Sequence, residues 1–248
     1  MKKNSQLDLN HPDTTIRRRD EIKKKPFMRR IYVEWYQLLK KWLPEEAKVV
    51  VELGSGPGFI SQEIPNAITS DILYLPYLDM VMNGRHLPFC KQCLDALLMV
   101  DVFHHISDAG SFLDEVSRVL KAGGRLVMID PWLTSWSKWV LTRFHHEPMD
   151  FNAVEWEFSS DGPLTGANQA LPWIVFNRDS ILFSEKFPDL RVMLIQPIMP
   201  LTYILGGGFS HRFSFPGFTY PFFSTIDRRL MDPERRGMFA LIVAEKIK

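Results

Sequence analysis

At 248 residues, 46% hydrophobic and 24% charged, the chain has the makeup of an ordinary globular protein that buries one sizeable core. Two full domains would be cramped, and disorder is excluded beyond the ends. No stretch reaches the roughly 18 apolar residues of a membrane span and the start lacks the apolar core of a secretion signal, so a cytoplasmic location is expected. The net charge of +1 conceals an asymmetry: residues 1–48 carry 13 Lys and Arg against 7 Asp and Glu, and the remainder 17 against 22.

Residues 1–26 read as a basic, partly disordered arm. Its clusters Arg17-Arg18-Arg19 and Lys23-Lys24-Lys25, with Arg29-Arg30 beyond, are open to an anionic membrane, a nucleic acid, an anionic substrate or plain solvent. Phe27, Ile31, Trp35, Leu38, Leu39 and Trp42 then recur at helical spacing up to Pro44. That amphipathic helix is expected to cover the edge of a sheet or to lid a pocket.

The run Val49-Val50-Val51-Glu52-Leu53-Gly54-Ser55-Gly56-Pro57-Gly58 predicts a buried strand that ends in a sharp, bare turn. Glycines at alternate positions let a ligand lie against backbone and hydrogen-bond to it. Such loops also occur in dinucleotide-binding dehydrogenases and in simple strand-to-helix turns. Glu52 favours a ligand with a cationic end, since it would repel a pyrophosphate.

A short helical piece from Phe59 to Ile64 precedes a strand ending at Asp71. Only twelve steps separate Asp71 from Asn83, too few for a full crossover helix, so an abbreviated loop is expected. Ala96 to Val102 reads as a central parallel strand. Phe112, Leu113, Val116, Val119 and Leu120 mark a helix with Ser107 or Asp108 as its cap and Gly123-Gly124 at its end. Strands follow at Arg125 to Ile129, Arg191 to Gln196 and Met238 to Glu245. Strand, helix and strand in this order predict right-handed crossovers and a doubly wound sheet. Cys90 and Cys93 form a lone Cys-x-x-Cys without zinc-site partners and are expected to be reduced thiols, with no metal.

Taken together, Glu52 to Gly58, Leu87-Pro88-Phe89, Asp101-Val102-Phe103-His104-His105 and Arg118 to Leu126 resemble the class I S-adenosylmethionine-dependent methyltransferases of the type 11, small-molecule kind. The resemblance implies an α/β fold: a doubly wound, mostly parallel, seven-stranded Rossmann-like sheet with an antiparallel last strand. It makes residues 27–248 a single methyltransferase domain, with a substrate-facing insertion at about 132–190 and an aromatic segment at about 201–225. It implies S-adenosylmethionine as cofactor, held by the turn at Gly54, Ser55, Gly56 and Gly58, with Glu52 on its amino-acid end. Asp71 would meet the ribose, Asn83 the adenine amino group, and Asp101 and Phe103 the methionine portion. The family commonly has Asp where Asn83 stands; an amide oxygen still accepts that bond.

His104, or His105 beside it, and His145, His146 and Glu147 past the fifth strand are the candidates for proton removal from an acceptor. Displacement at a sulfonium needs alignment above all, which makes a base optional. Trp132, Trp136, Trp139 and the aromatic run Phe209 to Phe223 suggest an apolar pocket or lid. The expected acceptor is therefore a small apolar or amphipathic molecule, met at an anionic membrane through the basic arm. An inactive binding protein of the same fold and a nucleic-acid methyltransferase are the alternatives, the latter disfavoured by the lack of an Asn-Pro-Pro-Tyr-like motif.

Overall fold

The computed structural model describes residues 8, 10–144, 147–162, 164–208, 214–232 and 235–248. Its strands are β1 (Val50–Leu53), β2 (Ala67–Asp71), β3 (Met80–Val81), β4 (Leu94–Val100), β5 (Leu120–Pro131), β6 (Leu190–Ile198) and β7 (Phe239–Lys246). They form one seven-stranded sheet in the order β3-β2-β1-β4-β5-β7-β6. The pairs from β3 to β5 are parallel, and β7 runs antiparallel to both β5 and β6. The expected architecture is the observed one, including the helix-free link from β2 to β3.

Both faces of the sheet are covered, so the central strands are apolar on both sides. On β4, Leu94, Leu97 and Met99 enter one core while Ala96, Leu98 and Val100 enter the other. Helix α1 (Pro12–Lys24) leads into α2 (Pro26–Lys41), and α3 (Ala109–Val119) lies on the opposite face. The α2 stripe of Phe27, Ile31, Trp35 and Leu39 is widened by Met28, Tyr32 and Tyr36. A stripe this broad meets β1, β4, β5 and β7 at once, so α2 covers the middle of a face and not an edge. At about 1.5–3 kcal/mol per large side chain buried, it is a firm anchor.

Three local readings are corrected. Residues 12–24 show no apolar periodicity, yet they are helical: Pro12 opens α1, and His11 Nδ1 accepts from Asp13 N at 3.3 Å. The α3 helix, capped by Asp108 accepting from Ser111 N at 2.8 Å, ends at Val119. Gly123-Gly124 falls inside β5, where the pairing with β4 slips between Leu94 and Ala96. The region expected as an irregular insertion carries α4 (Ser135–Phe144), α5 (Leu171–Trp173) running into a π-helical stretch (Ile174–Arg178), and α6 (Ser180–Lys186). Helices α7 (Thr202–Leu205) and α8 (Tyr220–Leu230) precede the last strand.

Candidate active site

β1, β2, β4 and β5 each carry an acid at, or within one residue of, the carboxyl end: Glu52, Asp71, Asp101 and Asp130. Because these strands are parallel, the four acids gather along one edge of the sheet, where open α/β sheets hold their ligands. A cavity of about 810 Å³ opens there. That is within the usual range of about 300–1,000 Å³ for small-molecule sites.

The glycine turn forms its floor. Gly54 and Gly56 hold left-handed φ of 71° and 44°. A Cβ on Gly54 would strike the Val102 side chain, and one on Gly58 would strike the Tyr36 hydroxyl, which accepts from Phe59 N at 3.0 Å. At Gly56 the nearest atom to such a Cβ is Asp71 Oδ2 at 3.7 Å, so its bareness serves the cavity more than the packing. Ser55 is pinned to β2, its N–H donating to Ser70 O at 2.7 Å and its hydroxyl accepting from Ser70 N at 3.1 Å.

Glu52 lines the cavity and is 1% exposed, and its Oε2 has no hydrogen-bond partner. Burial pushes its carboxyl up to about 8, against a hydrogen bond from Ser55. A buried carboxylate oxygen left over at the wall of a cavity is a receiver for an ammonium group. Asp71 accepts from Gly56 N at 3.0 Å and from Leu73 N at 2.9 Å, which fixes both oxygens at the cavity wall with a lone pair to spare on each. Burial raises its pKa, opposed by those backbone donors. Asn83 also lines the cavity, its Oδ1 accepting from Arg85 N at 3.0 Å.

Asp101 lies at the cavity in left-handed backbone, φ 61°. Burial raises its carboxyl to about 6, countered by His104 and reinforced by Asp130 and Glu147. Phe103 differs from expectation: its ring is fully buried against Phe112 and Phe176, with centroids at 5.8 and 5.5 Å, and lies outside the cavity wall. Its N–H instead donates to Asp130 Oδ2 at 2.8 Å. Phe103–His105 form a 3-10 turn, in which residues three apart share a face, so Val102 and His105 go to the cavity while Phe103 goes to the core.

At the far end, Asp130 is fully buried and accepts from the N–H groups of Val102, Phe103 and His104 at 2.9, 2.8 and 3.1 Å. His104 Nδ1 meets Asp130 Oδ1 at 2.7 Å and its Nε2 meets Glu147 Oε2 at 3.4 Å. Burial alone would lower the His104 pKa, but the charge of Asp130 and the bonds to Asp130 and Glu147 carry it well above the ordinary value. Clamped between two carboxylates and 1% exposed, His104 lies behind the cavity wall. Glu147 does line the cavity. Burial works against its charge, but hydrogen bonding and charge from His104 hold its carboxyl well below the usual range, and Gln169 Nε2 donates to Oε2 at 3.0 Å.

His105 is the imidazole that reaches the cavity. Its Nδ1–H donates to Gly166 O at 3.0 Å, which leaves the Nε2 lone pair toward Glu147 Oε1 at 3.8 Å. Burial, then the neighbouring His104, lowers its pKa to about 4. His145 and His146 lie outside the described residues. Asp130 follows the same strand-end pattern as Glu52 and was legible in that way; Gln169, Tyr32 and Tyr203 carry no sequence signal for the site they help form.

The rest of the wall departs from the aromatic expectation. Trp132 is in the core, while Trp136 stacks on Trp139 at 5.5 Å and donates to Pro200 O at 2.6 Å; none of the three lines the cavity. Phe215, Tyr220 and Phe223 surround Phe27, Phe218 and Phe222 are exposed, and Phe209 and Phe213 lie outside the described residues. Apolar lining comes instead from Val140, Leu141, Phe144, Tyr203 and Ile204. Helix α1 closes the side of the glycine turn: Thr15 and Arg18 line the cavity, while Arg19 donates to Gly58 O and lies 4.0 Å over the Tyr77 ring. Tyr77 in turn donates to Gly56 O at 3.0 Å. Two arginines of the Arg17-Arg18-Arg19 cluster thus turn inward. Cys90 and Cys93 are free thiols outside the wall.

A doubly wound sheet with a bare turn after its first strand and acids after the first two is an arrangement with which open α/β sheets hold nucleoside-like ligands. Residues 51–128 match the family model of a methyltransferase domain. Over that stretch, about a third of its length, the chain is similar to a methyltransferase domain. Similar folds are seen in an S-adenosylmethionine-dependent methyltransferase from Thermotoga maritima, at TM-score 0.56 and 15% identity over 96% of this chain and 100% of that one. Geranyl diphosphate C-methyltransferase from Streptomyces coelicolor A3(2), in complex with Mg2+, geranyl diphosphate and S-adenosyl-L-homocysteine, is similar at TM-score 0.53 and 15% identity over 98% and 89%. A chain of the complex between the Haloferax volcanii Trm112 methyltransferase activator and a methyltransferase is similar at TM-score 0.54 and 13% identity over 98% and 100%. No curated protein matches the chain in sequence. No described helix is long and apolar enough to cross a membrane.

Proposed function

We propose that this enzyme methylates a small apolar or amphipathic acceptor whose nucleophilic group sits against His105 and Glu147. The observation that carries this is one continuous cavity with Glu52, the glycine turn and Asp71 at one end and His105 and Glu147 at the other. In this reading Glu52 takes the cofactor's ammonium group, Asp71 its ribose hydroxyls and Asn83 its adenine edge, with Asp101 beside the methionine chain. When bound, the cofactor supplies an electrophilic methyl group on a sulfonium. The protein's work is then to align the acceptor opposite the departing sulfur and to keep water out. Tyr32, Val140, Leu141 and Tyr203 give the acceptor an apolar seat, and a hydroxyl in it loses its proton toward the His105–Glu147 pair.

A second partner is supported by the mouth. Phe144 is a cavity residue yet 68% exposed, Trp139 is 45% exposed, and Lys138 and Arg143 flank them on α4. Aromatic and basic side chains together suit an anionic membrane from which an amphipathic acceptor is drawn. The test is incubation of the protein with methyl-labelled cofactor and cell extract, then separation into lipid, other small-molecule, protein and nucleic-acid fractions. Label in either small-molecule fraction supports the reading; label confined to protein or nucleic acid overturns it. Sedimentation with anionic vesicles, lost in a Trp139→Ala, Phe144→Ala variant, checks the membrane part.

A further inference from the structure

We infer that His104, His105 and Glu147 form a binding site for one divalent first-row transition-metal ion at the acceptor end of the cavity. The inference deepens the acceptor reading and rests on it for the ion's task, though not for its binding.

The donor atoms already converge. His104 Nε2 lies 3.4 Å from Glu147 Oε2, His105 Nε2 lies 3.8 Å from Glu147 Oε1, and all three residues offer a ligand atom within 4.8 Å of the others. Bonds of about 2.0–2.2 Å from a tetrahedral ion to nitrogen and oxygen put neighbouring donors ~3.4 Å apart. The two histidine–carboxylate pairs lie at or close to that spacing, and no pair of ligand atoms is more than 4.8 Å apart.

The second layer of contacts is what a metal needs. Ligating imidazoles give their other N–H to a carboxylate or a carbonyl, which fixes ring and tautomer. Here His104 Nδ1 faces Asp130 Oδ1 at 2.7 Å and His105 Nδ1 faces Gly166 O at 3.0 Å, so each ring turns Nε2 to the same point. Glu147 is steadied by Gln169 Nε2 at 3.0 Å. Asp130 is itself immobile, held by three backbone N–H groups. Two histidines placed by chance on a core face have no cause to aim in this way.

Charge points in the same direction. Asp101, Asp130 and Glu147 bring three carboxylates around the two rings, Asp101 Oδ1 lying 4.0 Å from His104 Nδ1. A divalent cation offsets that negative charge. Two imidazoles and one carboxylate select Zn2+, Fe2+, Co2+ or Mn2+ over Mg2+ and Ca2+, which prefer all-oxygen shells. His104 lies behind the site while His105 and Glu147 line the cavity, so further coordination positions face the acceptor. An acceptor oxygen held there would be polarised and made easier to deprotonate, its proton passing to the Glu147 oxygen that does not bind the ion.

The test uses the purified full chain, stripped with chelator and titrated with Co2+ or Zn2+. Expected are one ion per chain, a visible Co2+ absorption band and a rise in the unfolding midpoint on loading. His105→Ala and Glu147→Ala variants should lose the band and the rise while unfolding like the metal-free wild type; if either misfolds, Gln169→Ala serves, with affinity about 10–100-fold weaker. A Cys90→Ser, Cys93→Ser double variant should bind as wild type. The inference is overturned by no stoichiometric ion, by equal binding in the His105→Ala or Gln169→Ala variant, or by loss of binding in the cysteine variant. Cofactor binding and methyl transfer are measured in parallel. Transfer to a small molecule without a bound ion sinks only the metal site, and an ion without transfer to a small molecule sinks only the acceptor reading.

Discussion

Glu52→Gln removes a charge at the cavity wall while keeping the shape of the side chain. Burial lifts the Glu52 carboxyl from 4.5 to about 8. At pH 7 it is then protonated in roughly nine of ten cofactor-free molecules. An ammonium group pairing with Oε2 requires the ionised form, so cofactor binding at pH 7 should expel close to one proton. The variant has none to expel and forfeits a charged hydrogen bond of about 1.5–3 kcal/mol, which weakens cofactor affinity roughly 10- to 150-fold. Titration calorimetry at pH 7 in buffers of different ionisation enthalpy reads the proton directly: the wild-type enthalpy should follow the buffer, the variant's should not.

The same shift sets a stability trend. The folded chain keeps a proton that the unfolded chain releases near 4.5, so this contribution is full below pH 4.5 and is lost as pH rises through about 8. The ceiling on the loss is about 5 kcal/mol at 1.36 kcal/mol per pH unit. The Glu52→Gln variant escapes it and should be the more stable cofactor-free protein above pH 8. Buffer-independent enthalpy in the wild type, or unchanged affinity in the variant, would refute the assignment of Glu52 to an ammonium group.

Three further outcomes are expected. Gly56→Val, which puts a branched residue at φ 44° beside the cavity, should abolish cofactor binding at a stability cost of about 1–2 kcal/mol; near-normal calorimetric affinity would show the site to be misplaced. Asp130→Asn leaves three backbone donors and the His104 ring without their carboxylate, and should lower urea-unfolding stability by about 3–5 kcal/mol; a midpoint like wild type contradicts that network. Arg19→Ala frees α1 from the Gly58 carbonyl and should speed cofactor dissociation about tenfold in stopped flow, the equivalent of one charged hydrogen bond of about 1.5 kcal/mol; an unchanged rate makes α1 a passive cover.

The sheet and the acids along its carboxyl edge were legible in the sequence, because both rest on local patterns. Runs that carry an acid at the carboxyl end, at Glu52, Asp71 and Asp101, specify buried parallel strands and their polar ends. Glycines 54, 56 and 58 specify a turn whose first and last positions have no room for a Cβ and whose middle one holds a left-handed φ. Tertiary structure alone decided the acceptor end. Helix α1 has a polar sequence with no stripe to read, and it docks through polar contacts such as Arg19 to the Gly58 carbonyl. His104 and His105 are adjacent and chemically alike in sequence. Only the fold brings Asp130 and Glu147 to one ring and the Gly166 carbonyl to the other, making one a clamped strut and the other a group that faces the cavity. Aromatic residues could not be sorted in advance either, since the same rings that could line a pocket at Trp136 or Phe223 lower their energy equally well by stacking on one another. Residues far apart in the chain make the acceptor site, and their meeting is set by packing that no local pattern encodes.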